Sequence, residues 1–213
     1  MTFSRPKKIL TGLAGFIGFL VLMLFVGWWQ VDGPGGSSKQ VQRYALPLPL
    51  NKMDFELVSH AGQKTEPEDW LGHPALIFFG FTYCPDICPT TLSRISGWLD
   101  ELGEEAGRIN VAFITVDPER DSTEELADYV SSFHPAIVGY TGLPDQIAEA
   151  AKGFQVKYER ISLENGYTMD HTAGVFIYND HGEFTSISDH HESGDYAVPK
   201  IRLALRSAKN TDG

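Results

Sequence analysis

Cys84 and Cys88 are the only thiols in this 213-residue chain, and three residues separate them in Phe78-Phe79-Gly80-Phe81-Thr82-Tyr83-Cys84-Pro85-Asp86-Ile87-Cys88-Pro89. Three chemistries suit such a pair. Thiolates select soft metals such as copper(I), zinc or iron–sulfur clusters, and two sulfurs alone leave the ligand set incomplete. A redox dithiol is the second, although the usual thioredoxin-like motif has two intervening residues rather than three. The third is a permanent structural disulfide, which would constrain little of the unfolded chain across so short a loop.

A metal site needs a further donor, and His171 in Asp170-His171-Thr172 is the candidate among seven histidines. It ends a polar loop and directly precedes an apolar run, so a strand start would hold its ring, with Asp170 placed to constrain the ring or its loop. Neutral imidazole beside two thiolates suits copper(I). A histidine at the start of a strand also serves purely structural ends, and spacing alone leaves both readings open. His190-His191 is the runner-up pair, set between Asp189 and Glu192 in what reads as a surface loop able to take copper(II) adventitiously. His60, His73, His134 and His181 stand in turn-like contexts, and Met1, Met23, Met53 and Met169 form no cluster.

The elements that must position these groups follow from periodicity. Ala75–Phe81 reads as a buried strand, and Thr90 to Leu99 carries apolar residues at helical spacing. Pro85 and Pro89 push Cys84 and Cys88 toward extended backbone, and proline suits a first helical position. The helix is therefore expected to start at Pro89, with Cys88 at its cap and Cys84 in the turn before. Both sulfurs then face the positive end of a helix dipole, which favours thiolate; Asp86 between them opposes this. Asn110–Val116 is a second buried strand, and Ser122 with Glu125 forms a capping box. A hairpin over Asp54–Gln63, a strand at Ala136–Tyr140, a helix at Pro144–Lys152, strands at Phe154–Ser162, Ala173–Asn179 and Glu183–Ile187, and a helix from Pro199 complete an α/β fold with a mixed sheet. Asp117-Pro118-Glu119-Arg120-Asp121 reads as a loop stabilised by capping and an internal Arg–carboxylate pair rather than as a catalytic group. There is no Gly-rich phosphate loop and no Ser-His-Asp arrangement; thiol–disulfide exchange is the enzyme chemistry the two thiols suit best, with peroxide reduction a weaker third option.

Ahead of this domain, residues 1–8 form a basic tail with Arg5, Lys7 and Lys8, and residues 9–29 contain no charge. Twenty-one helical residues span about 31 Å, against a hydrocarbon core of about 30 Å, and Trp28 and Trp29 sit where an aromatic belt belongs. The basic tail marks the cytoplasmic side, which predicts a single-pass anchor in a bacterial inner membrane with the soluble part in the periplasm. Residues 30–50, rich in Gly, Ser and Pro, read as a linker reaching roughly 25 Å, and residues 51–213 as the folded domain. That compartment is oxidising, so a lone cysteine pair there needs a metal or a reducing partner. Beyond the anchor, 28 acidic residues face 14 basic ones, a formal −14. Such a surface argues against nucleic acid and anionic lipid as partners.

The run Phe79–Leu92 closely resembles the copper-binding loop of the SCO/SenC family. Val116-Asp117-Pro118-Glu119-Arg120-Asp121 looks like that family's acidic loop, and Asp170-His171 like its histidine segment; the three are co-linear over roughly Met53 to the C-terminus, behind an anchor as the family has. The resemblance implies a thioredoxin-like fold and a membrane-anchored copper metallochaperone for cytochrome c oxidase. It implies that copper is bound by the residues here numbered Cys84, Cys88 and His171. The partners it implies are the oxidase subunit bearing the dinuclear CuA centre and a periplasmic copper donor or thiol reductant. A rival role in the same setting is a thiol–disulfide oxidoreductase that keeps the CuA-site cysteines reduced through Cys84 and Cys88. His190, His191 and the acidic C-terminal stretch have no place in the family pattern.

Overall fold

The computed structural model describes residues 6–31, 46–189, 192 and 194–207, with side chains over 16–29, 46–189, 192 and 195–206. The chain divides into two units, Met1–Tyr44 and Ala45–Gly213. In the first, helix α1 spans Pro6–Val31; its described side chains, residues 16–29, are exposed, and Phe25 packs on Trp28 and Trp29 at 6.1 and 5.8 Å. Among the described residues no helix is long and apolar enough to cross a membrane. The uncharged run 9–29 lies within α1, but the side chains of residues 9–15 lie outside the described set, as do residues 1–5 of the tail and 32–45 of the expected linker.

The second unit begins before residue 51. Leu50 is buried, and Leu48 and Leu50 donate backbone hydrogen bonds to Gly153 and Gly182, so the last residues assigned to a linker are packed. A short hairpin follows, β1 (Leu57–Ser59) and β2 (Lys64–Thr65). The apolar run forms β3 (Ala75–Gly80), all six residues buried, as a central strand covered on both faces requires. Helix α2 (Ile87–Leu102) starts two residues earlier than the prolines suggested, with Asp86 as N-cap. Cys88 therefore lies inside the first turn rather than at the cap, and Pro89 is tolerated because the first turn has no intrahelical use for its N–H. After α2 come β4 (Asn110–Thr115), α3 (Thr123–Val130), β5 (Ile137–Thr141) and α4 (Pro144–Gly153). The Ser122–Glu125 capping box forms as expected.

Two antiparallel strands then depart from the sequence reading. β6 (Tyr158–Leu163) starts later than expected, and the stretch read as a polar loop is strand β7 (Gly166–His171). They pair only with each other, outside the main sheet. β8 (Gly174–Tyr178), β9 (Phe184–Asp189) and α5 (Gly194–Ser207) finish the described chain; α5 begins five residues before Pro199, which sits inside it. The main sheet has the order β2-β1-β5-β4-β3-β8-β9, with β3–β4 and β4–β5 parallel and β3–β8 antiparallel. A mixed sheet flanked by helices, in the thioredoxin-like manner, is the result. Phe78 stacks on Phe113 at 5.9 Å, and Phe154 gathers Phe55, Phe79, Phe176 and Tyr178 around it.

Candidate metal centre

The thiol loop leaves the C-terminal end of β3 and is fixed on both sides of the cysteines. Upstream, the Asp121 carboxylate accepts from the Thr82 N–H and hydroxyl (3.0 and 2.6 Å) and from the Thr115 hydroxyl (2.6 Å). It is fully buried, and burial raises its pKa above the ordinary carboxylate value. Downstream, the first turn of α2 holds Cys88, whose side chain has no exposure. Its sulfur lies over Gly80: a Cβ there would stand 2.8 Å from Cys88 Sγ and 2.6 Å from the Phe113 ring. Only glycine lets the sulfur approach the strand this closely.

Cys84 and Cys88 are both free thiols, and they are not equivalent. Cys84 is half-buried, and the Cys88 N–H points at its sulfur at 3.4 Å. Hydrogen bonds, foremost from the Cys88 thiol and then from His171 and backbone N–H groups, lower its pKa to about 4 against the cost of burial. Cys88 is held far above the ordinary thiol range, because its proton is bonded to the Cys84 sulfur and because it is buried. Without metal, the pair is one thiolate and one thiol.

β7 delivers His171. Pairing Phe78 with Val175 runs β8 antiparallel to β3, so the start of β8 lies beside the end of β3, and the residue three before Gly174 arrives at the thiol loop. The His171 ring meets Phe81 edge-on at 5.8 Å and Phe78 at 6.3 Å. Its Nδ1 is 3.0 Å from the Thr172 carbonyl. A carbonyl only accepts, so Nδ1 carries a proton there, and Nε2 is the ring nitrogen turned toward the sulfurs. Nε2 lies 3.5 Å from Cys88 Sγ. Thr172 does the orienting expected of Asp170, which is exposed. The imidazole also borders an open cleft of about 690 Å³ between α4 and the β6–β7 pair.

The three candidate donors, Cys84 Sγ, Cys88 Sγ and His171 Nε2, lie within 4.8 Å of one another. Bonds of about 2.3 Å to sulfur and about 2.0 Å to imidazole place trigonal donors about 4 Å apart. The donor set and its spacing thus fit a soft metal cation. Other groups singled out in the sequence are elsewhere. His190 and His191 lie outside the described residues. His60 Nδ1 accepts from the Gly139 N–H and His134 Nδ1 from the Ala136 N–H, both structural contacts, and Met169 packs on the core. Asp117 and Arg120 form the internal ion pair expected of the acidic loop. What sequence reasoning missed is the contact of Arg120 with Tyr167, since the strand carrying Tyr167 was read as loop.

Comparison with known proteins gives three findings. The SCO1/SenC family profile matches residues 47–206. Among curated sequences, the zebrafish protein SCO2 homolog, mitochondrial, is 34% identical over 204 residues, covering 88% of this chain and 71% of that protein. The human protein SCO2 homolog, mitochondrial, is 36% identical over 161 residues, covering 74% and 60%. Among solved structures, Bradyrhizobium japonicum ScoI with copper bound superposes with a TM-score of 0.68 at 35% identity, over 76% of this chain and 100% of that one.

Proposed function

The chain belongs to the SCO1/SenC family, and from that premise we propose that it binds copper through Cys84, Cys88 and His171 and passes it to the CuA centre of a cytochrome c oxidase subunit. The observation that carries the proposal is the convergence of two sulfurs and an imidazole nitrogen within 4.8 Å. Two sulfurs and one nitrogen satisfy copper(I) while leaving it open to ligand exchange with an acceptor. Binding sheds the Cys88 proton, so affinity rises with pH. The apolar rings of Phe78 and Phe81 meet the imidazole edge-on, and His171 also lines an open cleft.

The proposal includes the setting. The uncharged run 9–29 within α1, preceded by Arg5, Lys7 and Lys8, acts as a single-pass anchor in a bacterial inner membrane and keeps the domain in the periplasm, near a membrane-bound oxidase and a copper donor. Alkaline extraction of membranes tests this: release of the chain into the supernatant would overturn it.

A second reading has its own support in the inequality of the thiols. An accessible thiolate beside a buried thiol suits disulfide exchange. The Cys84 thiolate attacks an acceptor's disulfide and expels one acceptor thiolate, Cys88 resolves the mixed disulfide and expels the other, and as this pair becomes a disulfide the acceptor takes up two electrons, one proton from Cys88 and a second from solvent. His171 separates the two functions. Anaerobic copper(I) titration of the full chain should show His171→Ala weakening binding, and oxidase assembly failing with it. Unchanged copper affinity in that variant removes His171 from the ligand set; assembly intact despite lost affinity favours the reductase.

A further inference from the structure

Asp117-Pro118-Glu119-Arg120-Asp121 joins β4 to α3 and touches both halves of the metal centre. Asp121 pins Thr82 of the thiol loop. Arg120, one residue earlier, reaches the hairpin. Its guanidinium lies 3.8 Å from the centre of the Tyr167 ring and donates from Nη1 to the Tyr167 carbonyl at 3.1 Å. It also lies over Tyr83, next to Cys84, at 4.7 Å, and over Phe81 at 5.9 Å. Asp117, itself buried, accepts from Arg120 Nε and, through its other oxygen, from the Tyr167 hydroxyl at 2.9 Å. Arg160 of β6 lies 3.5 Å from the Tyr167 ring centre and pairs with Glu119 at 2.9 Å. Rings and cations therefore alternate from the thiol loop, through the acidic loop, to the hairpin.

That hairpin has no strand neighbour in the main sheet, so side-chain contacts set where it sits. Tyr167 is four residues before His171 on the same strand. We propose that Arg120 is a positioning residue: with Asp117 it clamps β7 against the thiol loop and so sets the approach of His171 Nε2 to the two sulfurs. This rests on His171 being a copper ligand. A planar, forked guanidinium is required, because one group must stack on Tyr167 and Tyr83 while bonding Asp117 and a carbonyl in its plane.

A double-mutant cycle on the full chain tests the clamp, with anaerobic copper(I) affinity as the readout. Arg120→Met should weaken binding about tenfold, about 1.4 kcal/mol, and His171→Ala should then cost less than about threefold more, because the imidazole is already out of place. Tyr167→Leu, a change on the half-buried hairpin that leaves the Arg120–Asp117 pair intact, should reproduce both effects if Arg120→Met does not fold. Arg120→Lys should fail to restore coupling. Amide exchange over residues 158–171 should speed up in the metal-free variants while β3 and β4 stay protected. If His171→Ala costs as much in the Arg120→Met and Tyr167→Leu backgrounds as in the parent, the clamp is wrong although the ligand set stands. If His171→Ala costs nothing in the parent, the ligand reading fails and takes the clamp with it.

Discussion

The thiol loop and the β6–β7 hairpin bring their donors to the same point by opposite means. Cys88 is seated in the hydrophobic core, under the end of a fully buried strand and in the first turn of a sixteen-residue helix. His171 ends a two-stranded ribbon whose β6 residues are nearly all exposed and which pairs with nothing else. Local stability follows buried contact, so the ribbon belongs to the part of the fold that opens most readily. A carrier gains from that inequality. On the proposed reading the sulfurs would hold copper on a rigid base, and withdrawal of the imidazole would lower its coordination for transfer without disturbing the core.

The largest effect separating the two regions is loss of a sulfur. Cys88→Ala should lower copper(I) affinity on the order of a thousandfold, about 4 kcal/mol, measured by competition with a chromophoric chelator; a loss under tenfold would show that the core thiol is not a donor. Next is a change that reaches the thiol side through packing alone. Gly80→Ala sets a methyl 2.6 Å from the Phe113 ring and 2.8 Å from Cys88 Sγ, and overpacking of this kind costs about 1–3 kcal/mol. Denaturant unfolding of the metal-free chain should show that loss, with copper affinity reduced as well. On the hairpin side, His171→Ala should weaken copper(I) about ten- to thirtyfold, about 1.4–2 kcal/mol, yet cost the metal-free chain less than about 1 kcal/mol, since the ring is only partly buried. Comparable stability losses in Gly80→Ala and His171→Ala would erase the contrast between core and appendage.

The same contrast governs what the sequence makes legible. Cys84, Cys88, their prolines and the buried run before them are neighbours in the chain, so local rules recover strand, turn and helix to within a few residues. α2 starts ahead of Pro89 because Asp86 caps it, two residues before the cap that the proline rule predicts. β7 was read as loop because Gly166–His171 is polar and only partly buried; periodicity reports burial, and here there is little to report. A usable signal was present in Asn165-Gly166 between alternating residues, a short-range hairpin mark, and Gly166 does take a positive φ of 121°. The meeting of His171 with Cys88 depends on β8 pairing with β3, which no local rule contains; it was reached through family resemblance. The acidic loop's ion pair and capping box were readable, but its contact with Tyr167 required the missing strand.

The smallest expected effect is a pH dependence that distinguishes the two thiols from each other. The Cys84 thiol is lowered to about 4 from an ordinary value of 9.0, so at neutral pH the native state carries it as thiolate while the unfolded chain carries it protonated. A depressed folded-state value adds stability that is complete above pH 9 and is lost as pH falls toward 4. Because Cys84 is only partly buried, solvent screens part of this contribution, and reactivity is the sharper measure. Alkylation of metal-free, reduced protein by iodoacetamide should modify Cys84 at a rate nearly flat between pH 6 and 8, falling only near pH 4. Cys88, proton-bound and without exposure, should stay unmodified until the fold opens. A Cys84 rate that climbs tenfold per pH unit between 6 and 8 would mean an ordinary thiol, and the first turn of α2 would then not be stabilising charge at that sulfur.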